Sequence, residues 1–133
     1  MDFDKKQLLA DMCAKLPYCL KCEINGKVEI LDSICDDDGY YFNFIGEDKE
    51  GYTLDEVKPY LFPMSSMTDE QYDEMYNYCY NAEREASKFS NGELKIIYTY
   101  ELIKFDWLNR NRFDYRGLIP KGLAKDATGL NIY

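Results

Sequence analysis

Apolar residues recur at helical spacing near the start of the chain, at Leu8, Leu9, Met12, Cys13 and Leu16. Asp4 and Gln7 resemble a capping box that opens this helix, and Pro17 closes it because its ring cannot donate and restricts the residue before it. The period then changes to two. Tyr18, Leu20, Cys22 and Ile24 alternate with charged or polar residues, which predicts a half-buried strand. Asn25-Gly26 signals a hairpin. A two-residue turn there sets Ile24 opposite Lys27 and Cys22 opposite Glu29, so the pattern predicts a three-residue loop or adjacent bulge pairing Ile24 with Val28. A second strand follows from about Val28 to Cys35, and a third from Tyr40 to Ile45, with Tyr40, Phe42 and Phe44 on one face.

The middle of the chain carries mixed signals. Thr53-x-x-Glu56 can cap one helical turn, while the segment from Thr53 to Phe62 also reads as an edge strand broken at Pro59. Thr68 and Gln71 form a capping box, and Met67 can staple onto Tyr72. The helix they open runs to about Ser87, with Tyr72, Met75, Tyr76, Cys79, Ala82 and Ala86 as its apolar stripe and Tyr78 and Tyr80 outside it. Ser90-Asn91-Gly92 reads as a loop and Leu94 to Thr99 as a fourth strand. A last helix spans about Tyr100 to Asn111, with Ile103, Trp107 and Leu108 inward. Together these elements predict a single α+β domain over residues 1–133, a small antiparallel sheet of three to four strands covered by about three helices.

Three segments carry a resemblance: ADMCAKLPY, then VKPYLFPMSSMT from Val57 to Thr68, then DWLNRNRFDYRGLIPKGLA from Asp106 to Ala124. In these the chain resembles an uncharacterised family of short proteins from anaerobic gut bacteria and their phages or mobile elements. The resemblance implies a shared fold and an origin of that kind. It assigns no activity, cofactor or site residue.

Composition narrows the chemistry. With 133 residues, 46% hydrophobic and 31% charged, the chain has the make-up of a globular domain that folds without metal or disulfide. No run approaches the ~18 consecutive apolar residues of a membrane span, and the N-terminal residues lack a basic segment followed by an uninterrupted apolar one. Both point to the cytoplasm, as does an odd number of cysteines, five. Histidine is absent, which removes the commonest general base and every Ser-His or Cys-His pair, so Ser65 and Ser66 have no activating partner. The net charge of −9 opposes general attraction to nucleic acid or anionic membrane and leaves room for a basic partner.

The candidate sites follow. Cys19-x-x-Cys22 is the one redox-like or metal-like spacing, but it lies in an alternating strand that turns the two thiols to opposite faces, so both read as small packing residues. Asp36, Asp37, Asp38, Glu47, Asp48 and Glu50 lack the later ligand positions of a calcium loop and read as solvated turns. From Lys104 to Lys125 there are six cations against two anions in an otherwise acidic chain. There Trp107, Arg110, Arg112, Tyr115 and Arg116 are the candidate binding residues, since guanidinium groups beside aromatics grip phosphate, bases or a protein partner. The competing expectation is that Arg112 or Arg116 pairs with Asp106 or Asp114 and pins the segment to the helix, with the indole as its peg. Thirteen tyrosines exceed the needs of the core and place several rings at the surface. The leading expectation is a non-catalytic protein-binding or accessory protein of phage or mobile-element type, without cofactor, metal or membrane. The alternatives are nucleic-acid contact through the basic C-terminal face and an acidic inhibitor or mimic acting on a host protein.

Overall fold

A computed structural model of the protein describes residues 1–49, 51–87 and 93–133, apart from the side chains of 86–87 and 93–99. Among these residues, three α-helices and a six-stranded mixed sheet make an α+β fold.

Helix α1 (Phe3–Lys15) is capped by Asp2, whose Oδ1 accepts from the Lys5 N–H at 2.8 Å. Asp4 and Gln7, predicted as the cap, instead reach across to the C-terminal segment. The buried stripe also differs from the one predicted. Leu8, Asp11, Met12 and Lys15 are buried, Leu9 and Leu16 pack only partly, and Cys13 is exposed. Pro17 does stop the helix, in a 3₁₀ turn at Leu16–Tyr18, and the left-handed backbone of Cys19 delays the strand.

Strand β1 (Lys21–Ile24) pairs antiparallel with β2 (Lys27–Asp36), and Ile24 stands opposite Lys27. The predicted three-residue loop is therefore wrong. Asn25 (φ 51°) and Gly26 (φ 75°) both take left-handed conformations, the geometry of a tight two-residue turn whose twist matches the strands. The local turn chemistry outweighs the side-chain pattern because Lys27 stays exposed and Glu29 is only half-buried. The mismatch is corrected further along. β3 (Tyr40–Phe44) pairs with β2, and the register shifts between Leu31 and Ser33. This bulge sets Leu31 against Phe44 and Ile34 against Phe42, bringing to one face two residues that strict alternation would separate. Tyr40, at the strand start, is 40% exposed.

Both readings of the ambiguous middle segment hold in succession. Thr53 and Glu56 form a capping box around the 3₁₀ turn Leu54–Glu56, and β4 (Lys58–Pro63) follows. β4 is not an edge strand. It pairs with β1 at Cys22↔Pro59, and with two short parallel strands, β5 (Phe113–Asp114) and β6 (Lys125–Asp126). These two-residue strands are too short to leave an alternation pattern, so the sheet is larger than expected and mixed rather than wholly antiparallel.

Helix α2 (Asp69–Ser87) opens on the predicted box. Thr68 Oγ1 accepts from the Gln71 N–H at 3.1 Å, and Gln71 Oε1 accepts from the Thr68 N–H at 2.9 Å. Helix α3 (Glu93–Arg110) begins earlier than predicted and replaces the expected strand over Leu94 to Thr99. Its β-branched residues suggest a strand locally, but pairing with α2 overrides that preference. The predicted loop at Ser90–Gly92 lies outside the described residues.

Two cores result. In the first, Leu8 and Met12 of α1 cover Leu20, Cys22, Ile24, Leu31, Phe42, Phe44 and Leu61 of the sheet, and Leu118 and Ala124 of the C-terminal segment close it. In the second, Met75 and Cys79 of α2 pack with Trp107 and Leu108 of α3 and with Phe113. The α2–α3 pair is therefore not a lid on the sheet face, as predicted. It is a second layer that meets the sheet where β4 and β5 join.

Candidate functional site

The five predicted binding residues fall into three places. Trp107 is 2% exposed and stacks on Phe113, with centroids 5.7 Å apart and planes at 14°. It is a core peg, out of reach of any ligand. Arg110 at the end of α3 is exposed and rests on two rings, 5.3 Å from the centroid of Tyr78 and 5.9 Å from that of Tyr18. Arg112 adopts φ 59°, donates to the Tyr18 carbonyl at 2.9 Å and lies 3.9 Å from the centroid of Tyr133. The Tyr133 hydroxyl in turn accepts from the Lys21 N–H at 2.8 Å and donates to the Tyr60 carbonyl at 2.9 Å, bridging β1 and β4.

Tyr115 and Arg116 belong to another cluster, on α1. Arg116 donates to Gln7 Oε1 at 2.8 Å and lies 3.4 Å from Asp11 Oδ1. Among the described residues, the expected pairing of Arg112 or Arg116 with Asp106 or Asp114 is not seen. Both carboxylate oxygens of Asp114 accept backbone N–H groups, from Leu118 at 2.8 Å and Ile119 at 2.9 Å, and hold the turn after Gly117. The segment is pinned to the body as predicted, but by different partners. Lys121 reaches Asp4 at 2.9 Å, and Lys125 reaches Glu23 at 3.6 Å.

Asp11 and Lys15 form the centre of this cluster and have no exposed side-chain surface. Lys15 Nζ donates to Asp11 Oδ1 and, at 3.0 Å, to Asn109 Oδ1, which also accepts from the Tyr115 hydroxyl at 2.9 Å. Burial raises the Asp11 carboxyl above its ordinary value, against the pull of Lys15, and lowers the Lys15 ammonium, against the pull of Asp11. A 510 Å³ groove lined by Gln7, Ala14, Phe105, Asn109, Tyr115 and Arg116 lies beside the cluster, but Asp11 and Lys15 do not line it. With neither group open to solvent, the cluster works as a lock between α1, α3 and the C-terminal segment, not as an acid or base acting on substrate. The sequence signal for it was present. Asp11 and Lys15 occupy the same i, i+3, i+4, i+7 stripe as Leu8 and Met12, a charged pair where a core-facing helix expects apolar residues.

Cys19 is exposed in the left-handed turn, whereas Cys22 is fully buried in β1, and burial pushes its thiol far up. Among the described residues no three Cys, Asp or Glu converge as metal ligands. Glu50, one of the predicted acidic set, lies outside the described residues.

On the outer face of α2, sequence reasoning assigned two exposed rings to the interior. Tyr72 and Tyr76, predicted to be buried, are 57% and 49% exposed, and Tyr80 is 46% exposed. Spaced four apart, the three rings form one row. The rings of Tyr76 and Tyr80 stack, with centroids 6.3 Å apart and planes at 8°. By helical period Asp69, Asp73 and Glu83 share this arc. At the N-terminal end of the row is a 360 Å³ groove lined by Met64, Met67, Tyr72 and Met75, with Thr68, Asp69 and Lys104 completing its wall. Met67 and Tyr72, predicted to staple the helix start, both line this groove.

The chain matches no family model, no curated protein and no solved structure. None of the described helices is long and apolar enough to cross a membrane.

Proposed function

We propose that this is a small non-catalytic protein-binding or accessory protein, of the phage or mobile-element type its sequence resembles, and that α2 is its binding face. The row of Tyr72, Tyr76 and Tyr80 carries this reading. Each ring leaves about half its surface to water, although the apolar stripe of the same helix is one position away. Tyrosines anchor protein partners because they bring large contact area, few rotatable bonds and a polar tip.

The alternative, nucleic-acid contact through the C-terminal cations, finds less support. Of the six cations predicted to form that face, Arg112, Arg116, Lys121 and Lys125 each have partners within the chain. The test is capture from an extract of the source cells treated with nuclease. A protein should be retained by the wild type, lost with Tyr76→Ala/Tyr80→Ala and kept with Arg110→Glu. Loss with nuclease or with Arg110→Glu, and indifference to the tyrosine changes, would favour the nucleic-acid reading instead.

A further inference from the structure

We infer that the occupant of the α2 face is a basic, amphipathic segment of a partner protein. It places cations on the tyrosine row between carboxylates and one large apolar side chain in the methionine-lined groove. This rests on the reading of α2 as the binding face and adds the chemistry of what binds.

Three observations bear on that chemistry. The first is charge. Along its length α2 carries Asp69, Glu70, Asp73, Glu74, Glu83 and Glu85 against Arg84 alone, in a chain of net charge −9. An acidic or nucleic-acid partner approaching this helix meets like charge, and a basic one is steered to it. The second is the way the acids and rings are interleaved. Asp73 lies three residues from Tyr76, and Glu83 three from Tyr80, so a cation seated on a ring is also within the field of a carboxylate. The molecule already uses this contact internally. The guanidinium of Arg110 rests on Tyr78, and that of Arg84 lies 5.9 Å from the centroid of Tyr80. The third is the groove. Its floor and walls include Met64, Met67 and Met75, flexible thioethers that adapt to differing apolar shapes, so the partner carries at least one apolar anchor in addition to its charges. A second copy of this chain would bring another acidic helix to the face and fits poorly.

The test selects a displayed library of random peptides against the full-length protein. Three variants run alongside: Tyr76→Ala/Tyr80→Ala, Met67→Asp, and Asp73→Lys/Glu83→Lys, each checked for folding by circular dichroism. Enriched peptides should be net basic with a large apolar residue. They should bind roughly tenfold more weakly, or worse, to each variant, and lose affinity as salt rises. Enrichment that needs the tyrosines but shows no basic bias overturns this inference and leaves the protein-binding reading standing. Enrichment indifferent to the tyrosine variant overturns both. Failure to enrich any peptide, or a wild-type dimer that dissociates on Tyr76→Ala/Tyr80→Ala, also overturns the basic-segment inference, the dimer by making the occupant a second copy.

Discussion

Asp11 and Lys15 set the strongest residue-level expectation, because neither side chain has exposed surface and each is the main compensation for the other. Removing one partner strands a buried charge. Lys15→Met is expected to cost ~3–5 kcal/mol, and Asp11→Leu/Lys15→Met to recover much of that loss, since well-packed apolar residues often replace a buried ion pair without penalty. The pH dependence follows from the two shifts. The raised Asp11 carboxyl adds stability below its unfolded value and loses it as pH rises through the folded value. The lowered Lys15 ammonium adds stability above its unfolded value and loses it as pH falls through the folded value. In the intact pair the two trends offset, because the proton one group gives up the other can hold. Asp11→Asn removes the first trend and keeps the second. The stability margin of wild type over Asp11→Asn should therefore widen as pH falls below the ordinary lysine range, read from urea melts across a pH series. A margin that narrows on acidification would mean that the native pair holds its proton less tightly than the lone lysine does.

At the scale of elements, the Asn25-Gly26 hairpin shows which local signals win. The backbone at Gly26 has φ 75°, and a Cβ built there meets nothing within 4 Å. Strain alone therefore sets the effect of Gly26→Ala, expected at about 1 kcal/mol. A loss near zero in thermal or urea melts would show that the turn opens to another conformation at little cost. This turn was legible in the dipeptide itself. The register was misread because the side-chain pattern was applied at the tip, where Lys27 keeps its charge in water, while the correction sits beyond Leu31 in a bulge with no sequence signature of its own. The capping boxes at Thr53 and Thr68 were legible for the opposite reason, since both partners of each lie within four residues. For α2, periodicity placed Met75 and Cys79 correctly but counted Tyr72 and Tyr76 as core. A tyrosine at the margin of an apolar stripe satisfies the pattern whether it turns inward or to water, so two of the three rings of the candidate binding face were hidden among the predicted core, while Tyr80 was correctly placed outside it. The Asp11–Lys15 lock was missed because its partners on α3 and the C-terminal segment lie far along the chain.

For the molecule as a whole, the two cores are joined too closely to open separately. Leu61 and Phe62 are neighbours in β4, yet Leu61 packs in the sheet core and Phe62 against the Trp107 core. The same division recurs in the C-terminal segment, where Phe113 belongs to one core and Leu118 to the other, with Asp114 holding the turn between them. Lys15 ties α1 to Asn109 of α3 across the boundary. Peeling the α2–α3 layer away would expose Phe62 and Phe113 and leave the buried Lys15 without Asn109, together a cost comparable to a large share of a small domain's net stability. The layers should therefore unfold in one transition. The chain carries a natural reporter in each, since Cys22 is buried in the first core and Cys79 in the second, both at 0% exposure. Pulse labelling with a thiol reagent across a urea series should open Cys22 and Cys79 at the same midpoint, coincident with the shift in Trp107 emission. Labelling of Cys79 and movement of Trp107 at lower urea than Cys22 would show two units, with the layer that bears the tyrosine row free to detach from the sheet.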